Sequence, residues 1–241
     1  MQAEEAIPRP SSTVVLVRSG ETRPEVFMVK RHARASFGST FAFPGGVLEA
    51  ADALVHDFGT GRPAEQAQKL LQLDCGALDY YSAAIRELFE ESGVLLATHH
   101  LSLRELGDAR AALNAGSLEW DRFTREQQLL LRYDRLHYFS FWITPPGLPK
   151  RYSARFFLAE LPAAQSASHD GAELTESCWM PAADILAARK RKQMKLPYPT
   201  RKTLKRVAAF GSTDDLLLWA RACGDKGVIC DQPAFKPEMV L

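Results

Sequence analysis

A chain of 241 residues that is 46% hydrophobic and 24% charged has an ordinary globular composition. Its net charge of +1 gives no support to a nucleic-acid coat or a polybasic membrane anchor, so neither nucleic acid nor membrane is expected as a partner. No run approaches 18 apolar residues, and Met1 to Pro10 holds acids and prolines without an apolar stretch. No membrane span or signal peptide is therefore expected, and a cytoplasmic setting is. Cys75, Cys178, Cys223 and Cys230 form no C-x-x-C pair, so zinc and redox motifs are not indicated and free thiols are expected.

In chain order, residues 1–11 read as a loose tail. Thr13 to Val17 is apolar and β-branched, a buried strand. Ser19-Gly20-Glu21 turns the chain, and Glu25 to Lys30 reads as its hairpin partner. Thr40 to Phe43 is a short strand ended by a Pro44-Gly45-Gly46 turn. Val47 to Asp79 is less regular, with a helix predicted over Pro63 to Leu71. Tyr80 to Ser92 reads as the central helix, and 101–132 as mostly helical with a break near Asn114-Ala115-Gly116. Strands follow at Leu136 to Thr144, Ala154 to Glu160 and Leu174 to Trp179. Helices are predicted from Pro181 and over Thr200 to Phe210 and Asp214 to Cys223. Helices and strands are mixed with hairpin-like pairs, which predicts an α+β fold.

The informative stretch is Arg86-Glu87-Leu88-Phe89-Glu90-Glu91-Ser92-Gly93-Val94. On a helical wheel Tyr81, Ala84, Ile85, Leu88 and Phe89 fall within an arc of roughly 140°. Arg86, Glu87, Glu90 and Glu91 fall on the other arc. Three carboxylates at i, i+3 and i+4 repel each other. They also sit in the C-terminal half of the helix, where the macrodipole disfavours anions. Local stability does not account for them; a hard divalent cation would. A bare E-x-x-E-E is also compatible with a solvated acidic face on which Arg86 pairs with Glu90. Pro44-Gly45-Gly46 is a turn whose glycines permit close backbone approach. No G-x-x-x-x-G-K-[ST], no helix-opening G-x-G-x-x-G and no H-E-x-x-H is present.

These residues carry a resemblance. Gly46 together with Arg86-Glu87-Leu88-x-Glu90-Glu91-x-Gly93-Val94 resembles the Nudix box, G-x5-E-x7-R-E-U-x-E-E-x-G-U with U apolar. Asp52 stands where that family has Glu, with Glu49 nearby. Thirty-three residues, not seven, separate Asp52 from Arg86, so an insertion of 26 residues interrupts the box. Phe43-Pro44-Gly45-Gly46 before the insertion, Arg151 to Phe157 before a strand, and the acidic loop Asp170 to Trp179 resemble the branch of coenzyme A diphosphatases. The likeness runs from about Thr13 to Phe210.

The resemblance implies a Nudix-type mixed sheet sandwiched between helices, with extra C-terminal helices. It implies one domain over 12–211, with the insertion at about 53–79, and a helical extension over 212–241 packed on it. The implied reaction is hydrolysis of a diphosphate linkage in a nucleoside diphosphate-X compound, a small-molecule substrate. Coenzyme A or an acyl-coenzyme A is the leading reading; ADP-ribose or a dinucleotide is the alternative, and a non-catalytic nucleotide-binding regulator comes from a different class. Mg2+, with Mn2+ as the alternative, is the implied cofactor. Its expected ligands are Glu87, Glu90, Glu91 and the Gly46 carbonyl. Glu87 is a ligand or a base beside the metal, Arg86 orients the carboxylates, and Glu173 is a further catalytic candidate.

Substrate phosphates are expected at Arg31, Arg34, Gly45, Gly46 and Arg151. Lys150 and the basic run Arg189-Lys190-Arg191-Lys192 with Lys195 are further cations; a solvated helix end is the plainer reading of the run. Tyr152 and Tyr198 are candidates to stack a base. A homodimer is allowed by the sequence but not specified by it.

Overall fold

In the computed structural model, the residues described are 6–31, 40–171, 174–231 and 233. The strands are β1 (Arg9–Ser19), β2 (Pro24–Arg31), β3 (Phe41–Ala42) and β4 (Gly45–Val47). A 3-10 helix (Ala50–Phe58), β5 (Gly59–Thr60) and α1 (Ala64–Leu71) then lead into α2 (Ala77–Ser92). Next come β6 (Ala97–Thr98), α3 (Leu103–Asn114), α4 (Trp120–Glu126), β7 (Leu130–Arg132) and β8 (His137–Ile143). The chain continues with β9 (Tyr152–Glu160), β10 (Leu174–Pro181), α5 (Ala182–Lys190), α6 (Tyr198–Val207), α7 (Thr213–Lys226) and β11 (Cys230–Asp231).

Among the described residues the main sheet runs β10-β2-β1-β9-β8-β11, with β3 on β2 and β4 on β1. A three-stranded sheet, β5-β7-β6, stands apart from it. The first strand is longer than its apolar run. Arg9 to Ser11, expected as tail, pair in parallel with Tyr152 to Ala154 of β9. The partner strand supplies the hydrogen bonds there, and no local pattern announces them. On its other edge β1 is shared: Val17 to Ser19 pair with β2, and Ser11 to Thr13 pair with β4.

The alternation of β1 explains the layers. Val14 and Leu16 point to one core, with Tyr81, Ala84, Ile85, Leu88 and Phe89 of α2. Val15 and Val17 point to a second core, with Ile185 of α5, Leu204 of α6 and Leu216 of α7. The sheet thus lies between α2 and the three C-terminal helices, as the α+β expectation required. Burying each such Val, Leu, Ile or Phe contributes about 1.5–3 kcal/mol.

The central helix starts at Ala77, three residues before the expected start, because Gly76 is the left-handed residue that precedes it (φ 68°). Its end is the expected one: Gly93 sits at φ 76° and its N–H closes on the Phe89 carbonyl. The Ser12 hydroxyl donates to the Tyr80 carbonyl at 2.7 Å, tying β1 to the same helix.

Two segments differ from their expected form. Gly45-Gly46-Val47 is not only a turn but a strand against β1. A side chain at Gly45 (φ 151°) would run into the Ser12 carbonyl, so only glycine lets the two strands close. The irregular segment after it begins as a 3-10 helix opened by a reciprocal pair of hydrogen bonds between Glu49 and Asp52.

Candidate active site

The polar arc of α2 is not a solvated stripe. Arg86 is 2% exposed and Glu91 is buried; Glu87 and Glu90 are only partly accessible. The arc faces β4 and the 3-10 helix, which the chain folds back onto it.

Arg86 is the centre of this contact. Its Nε and Nη2 each donate to one oxygen of Asp52 at 3.0 Å, the bidentate fork that a guanidinium and a carboxylate form best. Nη2 also donates to the Val47 carbonyl at 2.9 Å. Nη1 is shared by Glu87 Oε1 at 2.9 Å and Glu90 Oε2 at 3.2 Å. Asp52 is wholly buried, and it accepts the Glu49 N–H at 2.8 Å as well as the Arg86 fork. The fork joins two residues 34 positions apart in sequence. Burial works against the Arg86 charge, but the Asp52 hydrogen bonds and the charges of Glu87, Asp52 and Glu90 outweigh it and hold the guanidinium protonated.

The glycines meet the carboxylates directly. The Gly45 N–H donates to Glu91 Oε2 at 2.9 Å. At Gly46 a Cβ would collide with the Glu87 carboxylate, so the absence of a side chain is what allows that approach. Glu90 is pushed up to about 7, first by burial and then by the charges of Glu87 and Glu49, with Arg86 pulling the other way. Its backbone carbonyl accepts from Arg110 Nε at 2.9 Å and Asn114 Nδ2 at 3.2 Å, which pins the helix end to α3. A polar cavity of about 380 Å³ opens beside it, lined by Glu49, Arg86, Glu90, Asn114, Glu119 and Asp170.

Among the described residues, no three acidic, His or Cys side chains converge on one point suited to an ion. Glu87 and Glu90 lean on Arg86, and Glu91 turns to Gly45. The donor set nevertheless fits a hard divalent cation. Three carboxylates with oxygen donors only sit on one helix, and Asp52, Glu87 and Glu90 together place three acids around the single guanidinium of Arg86.

The other sequence candidates fall elsewhere. Arg34 and Glu173 lie outside the described residues; of Arg31 the backbone is described, paired with Leu174 at the end of β2. Arg151 was expected to hold substrate phosphate. It is buried, and its Nε and Nη1 donate to the Thr144 and Ala6 carbonyls at 3.0 Å each. Those donors stitch the start of β9 to the chain around it. Arg189 to Lys192 form the exposed end of α5, where cations suit the helix dipole. Tyr152 and Tyr198 both line a second, largely apolar cavity.

Sequence reading missed Arg110, Asn114, Glu119 and Asp170. Only Asp170 carried a signal, as the first acid of the loop that also holds Glu173.

A glycine-fitted strand is thus held against a helix of three carboxylates by a buried arginine. The NUDIX domain profile matches residues 8–200, and the chain belongs to that family of hydrolases. A putative nudix hydrolase of Caenorhabditis elegans is 25% identical over 223 residues, 92% of this chain and 68% of that one. The acyl-coenzyme A diphosphatase NUDT19 of Gallus gallus is 28% identical over 238 residues, 80% of this chain and 63% of that one. The chain thus spans just under two thirds of that diphosphatase. A crystal structure of a NUDIX hydrolase from Alicyclobacillus acidocaldarius superposes with a TM-score of 0.76 at 26% identity, covering 88% of this chain and 96% of that one. Among the described residues no helix is long and apolar enough to cross a membrane.

Proposed function

We propose that the chain hydrolyses the diphosphate linkage of coenzyme A or an acyl-coenzyme A with a bound divalent cation, Mg2+ first. The observation that carries the diphosphatase reading is Arg86 of α2 forked on Asp52 and bonded to the Val47 carbonyl, which holds the 3-10 helix and β4 on the carboxylate helix. The coenzyme A assignment is supported by the acyl-coenzyme A diphosphatase named above. Glu87, Glu90 and Glu91 would hold the cation, which when bound neutralises diphosphate charge and acidifies a coordinated water.

The chain's own residues do the rest. Arg86 keeps Glu87 and Glu90 aimed to one side through Nη1. Gly45 and Gly46 let the β4 backbone approach Ser12 and the Glu87 carboxylate, which sets where that carboxylate lies. Water attacks one phosphorus, the P–O bond to the bridging oxygen breaks, and the water proton passes to a carboxylate. Glu90, which borders the open polar cavity, is the carboxylate placed to take it.

Incubation with Mg2+ and coenzyme A, followed by mass spectrometry, should yield 3′,5′-ADP and 4′-phosphopantetheine. Glu90→Gln should lower turnover by about 100-fold or more while the melting temperature changes little. Turnover of ADP-ribose or a dinucleotide with none of coenzyme A would sink the substrate assignment. Equal inactivity of wild type and variant across a diphosphate panel would favour a nucleotide-binding regulator instead.

A further inference from the structure

The two glycines of β4 that meet the α2 carboxylates also line a second cavity, of about 260 Å³. This cavity lies on the side of the C-terminal helices, and its walls include Phe43, Trp142, Tyr152, Phe156 and Tyr198. It is smaller than the roughly 300–1,000 Å³ typical of pockets that enclose a whole drug-sized ligand, so it suits one flat group rather than an entire dinucleotide.

Three observations bear on what that group is. Trp142 is 5% exposed, and its buried indole N–H has no hydrogen-bond partner. A buried donor left unpaired costs on the order of 1–3 kcal/mol. Trp142 meets Tyr198 edge to face, with centroids 5.9 Å apart. The Arg201 guanidinium and the Lys202 ammonium lie 5.1 and 5.4 Å from the Tyr198 ring centre. Neither of those cations makes an ion pair among the described residues. All three belong to the first turns of α6, a ten-residue helix whose N-terminus forms part of the cavity wall and whose dipole favours anions there.

We propose that this cavity seats the nucleobase of the substrate and that Arg201 and Lys202 at its rim hold a phosphomonoester on the same nucleoside. Trp142 donates its indole hydrogen to a ring nitrogen, and the aromatic walls cover the base. The diphosphate then runs past Gly45 and Gly46 toward the carboxylates. An acyl chain would use neither the indole N–H nor the two cations. This rests on the diphosphatase reading and deepens it. The protein reads coenzyme A from its 3′-phosphoadenosine end, and a nucleotide with a bare ribose loses that contact.

The test separates the two claims. Titration calorimetry of the full chain with 3′,5′-ADP and with 5′-AMP measures the site without turnover. The wild type should bind 3′,5′-ADP about tenfold tighter, the scale of one charge-assisted contact. The Arg201→Ala, Lys202→Ala double variant should bring that ratio to about one. Trp142→Phe should weaken both nucleotides together and leave the ratio unchanged, with thermal melting to confirm the fold. A wild type that binds the two nucleotides equally, or a double variant that keeps the ratio, overturns the proposal. Hydrolysis of coenzyme A and 3′-dephospho-coenzyme A with equal kcat/KM would overturn it too, while leaving the diphosphatase reading intact. If neither compound is hydrolysed, the diphosphatase reading fails and the binding ratio alone decides the subsite.

Discussion

Three arginines are buried among the described residues, and two of them, Arg86 and Arg155, are balanced in opposite ways. Arg86 is surrounded by carboxylates: Asp52 in a fork, Glu87 and Glu90 on the remaining nitrogen. Arg155 of β9 is 4% exposed and lies between rings, 4.2 Å from the centre of Tyr80 and 4.5 Å from that of Phe141. Its Nη2 donates to the Leu71 carbonyl at 3.3 Å, and its Nε is unpartnered. Among the described residues it makes no ion pair. The first arrangement gathers negative charge and leaves more of it than one guanidinium can offset, which is what a cation site needs. The second adds no anion to its surroundings. Buried charge of one kind, at similar depth, thus marks a site in one place and packing in the other. The partners decide which.

Breaking either arrangement should have effects of decreasing size. Arg86→Ala strands Asp52 in the interior and should cost about 3–5 kcal/mol of stability, read by chemical denaturation. If the Arg86 contacts were a surface ion pair the loss would stay below about 1 kcal/mol. Arg86→Lys should not restore it, since an ammonium cannot make the fork. Gly46→Ala pushes the Glu87 carboxylate aside and should lower kcat by on the order of 100-fold with a small change in melting temperature. An unchanged kcat would mean that β4 does not shape the reacting geometry.

Arg155→Met replaces a desolvated cation with an apolar chain of similar length. Lost cation–π attraction of about 0.5–2 kcal/mol is partly offset by relief of desolvation. Stability should move by about 1 kcal/mol, and kcat/KM by less than about twofold. A loss of activity on the scale of Arg86→Ala would erase the distinction between the two arginines.

A further effect is one of pH, and it belongs to the β8–β9 side of the sheet. His137 of β8 is lowered to about 4, chiefly by burial and then by the charges of Arg221 and Arg62. Its folded pKa lies below its unfolded value near 6.5, so the unfolded chain binds the extra proton between those two values. The stability from neutral His137 is full above about pH 6.5 and is lost as pH falls toward about 4. Removing the titration with His137→Gln should recover on the order of 1–2 kcal/mol of that acid-side loss, measured as denaturation midpoints at about pH 7 and about pH 4.5. Parallel pH profiles for variant and wild type would show that His137 does not carry the effect.

Much of the fold and part of the site are legible in the order of the residues alone. The apolar arc of α2 and its stop at Gly93 follow from period and from the φ > 0 that glycine tolerates. The hairpin of β1 and β2 follows from β-branched runs flanking Ser19-Gly20-Glu21. The E-x-x-E-E spacing places three carboxylates on one face whatever the rest of the chain does. Three features are not legible there. Arg151 and Arg155 sit four residues apart, yet one holds carbonyls and the other rings. Asp52 sits across a long insertion from Arg86, and only the closed chain shows the fork. Arg201 and Lys202 look like any helix-surface cations until Tyr198 takes its place on the wall of a cavity.

By itself, then, the sequence determined what short segments determine: element type and the chemistry of one helix face. These depend on side-chain period and on charges a few residues apart. The tertiary structure alone decided that β4 lies on α2, that Asp52 rather than Glu49 takes the Arg86 fork, and that β9 runs parallel to β1. Those outcomes depend on contacts between residues tens of positions apart, where the cost of closing the loop and the burial gained beneath it are properties of the whole fold. The helix carried the carboxylates from the start. The return of the chain is what set Glu87 and Glu91 against two glycines and gave Arg86 its fork on Asp52.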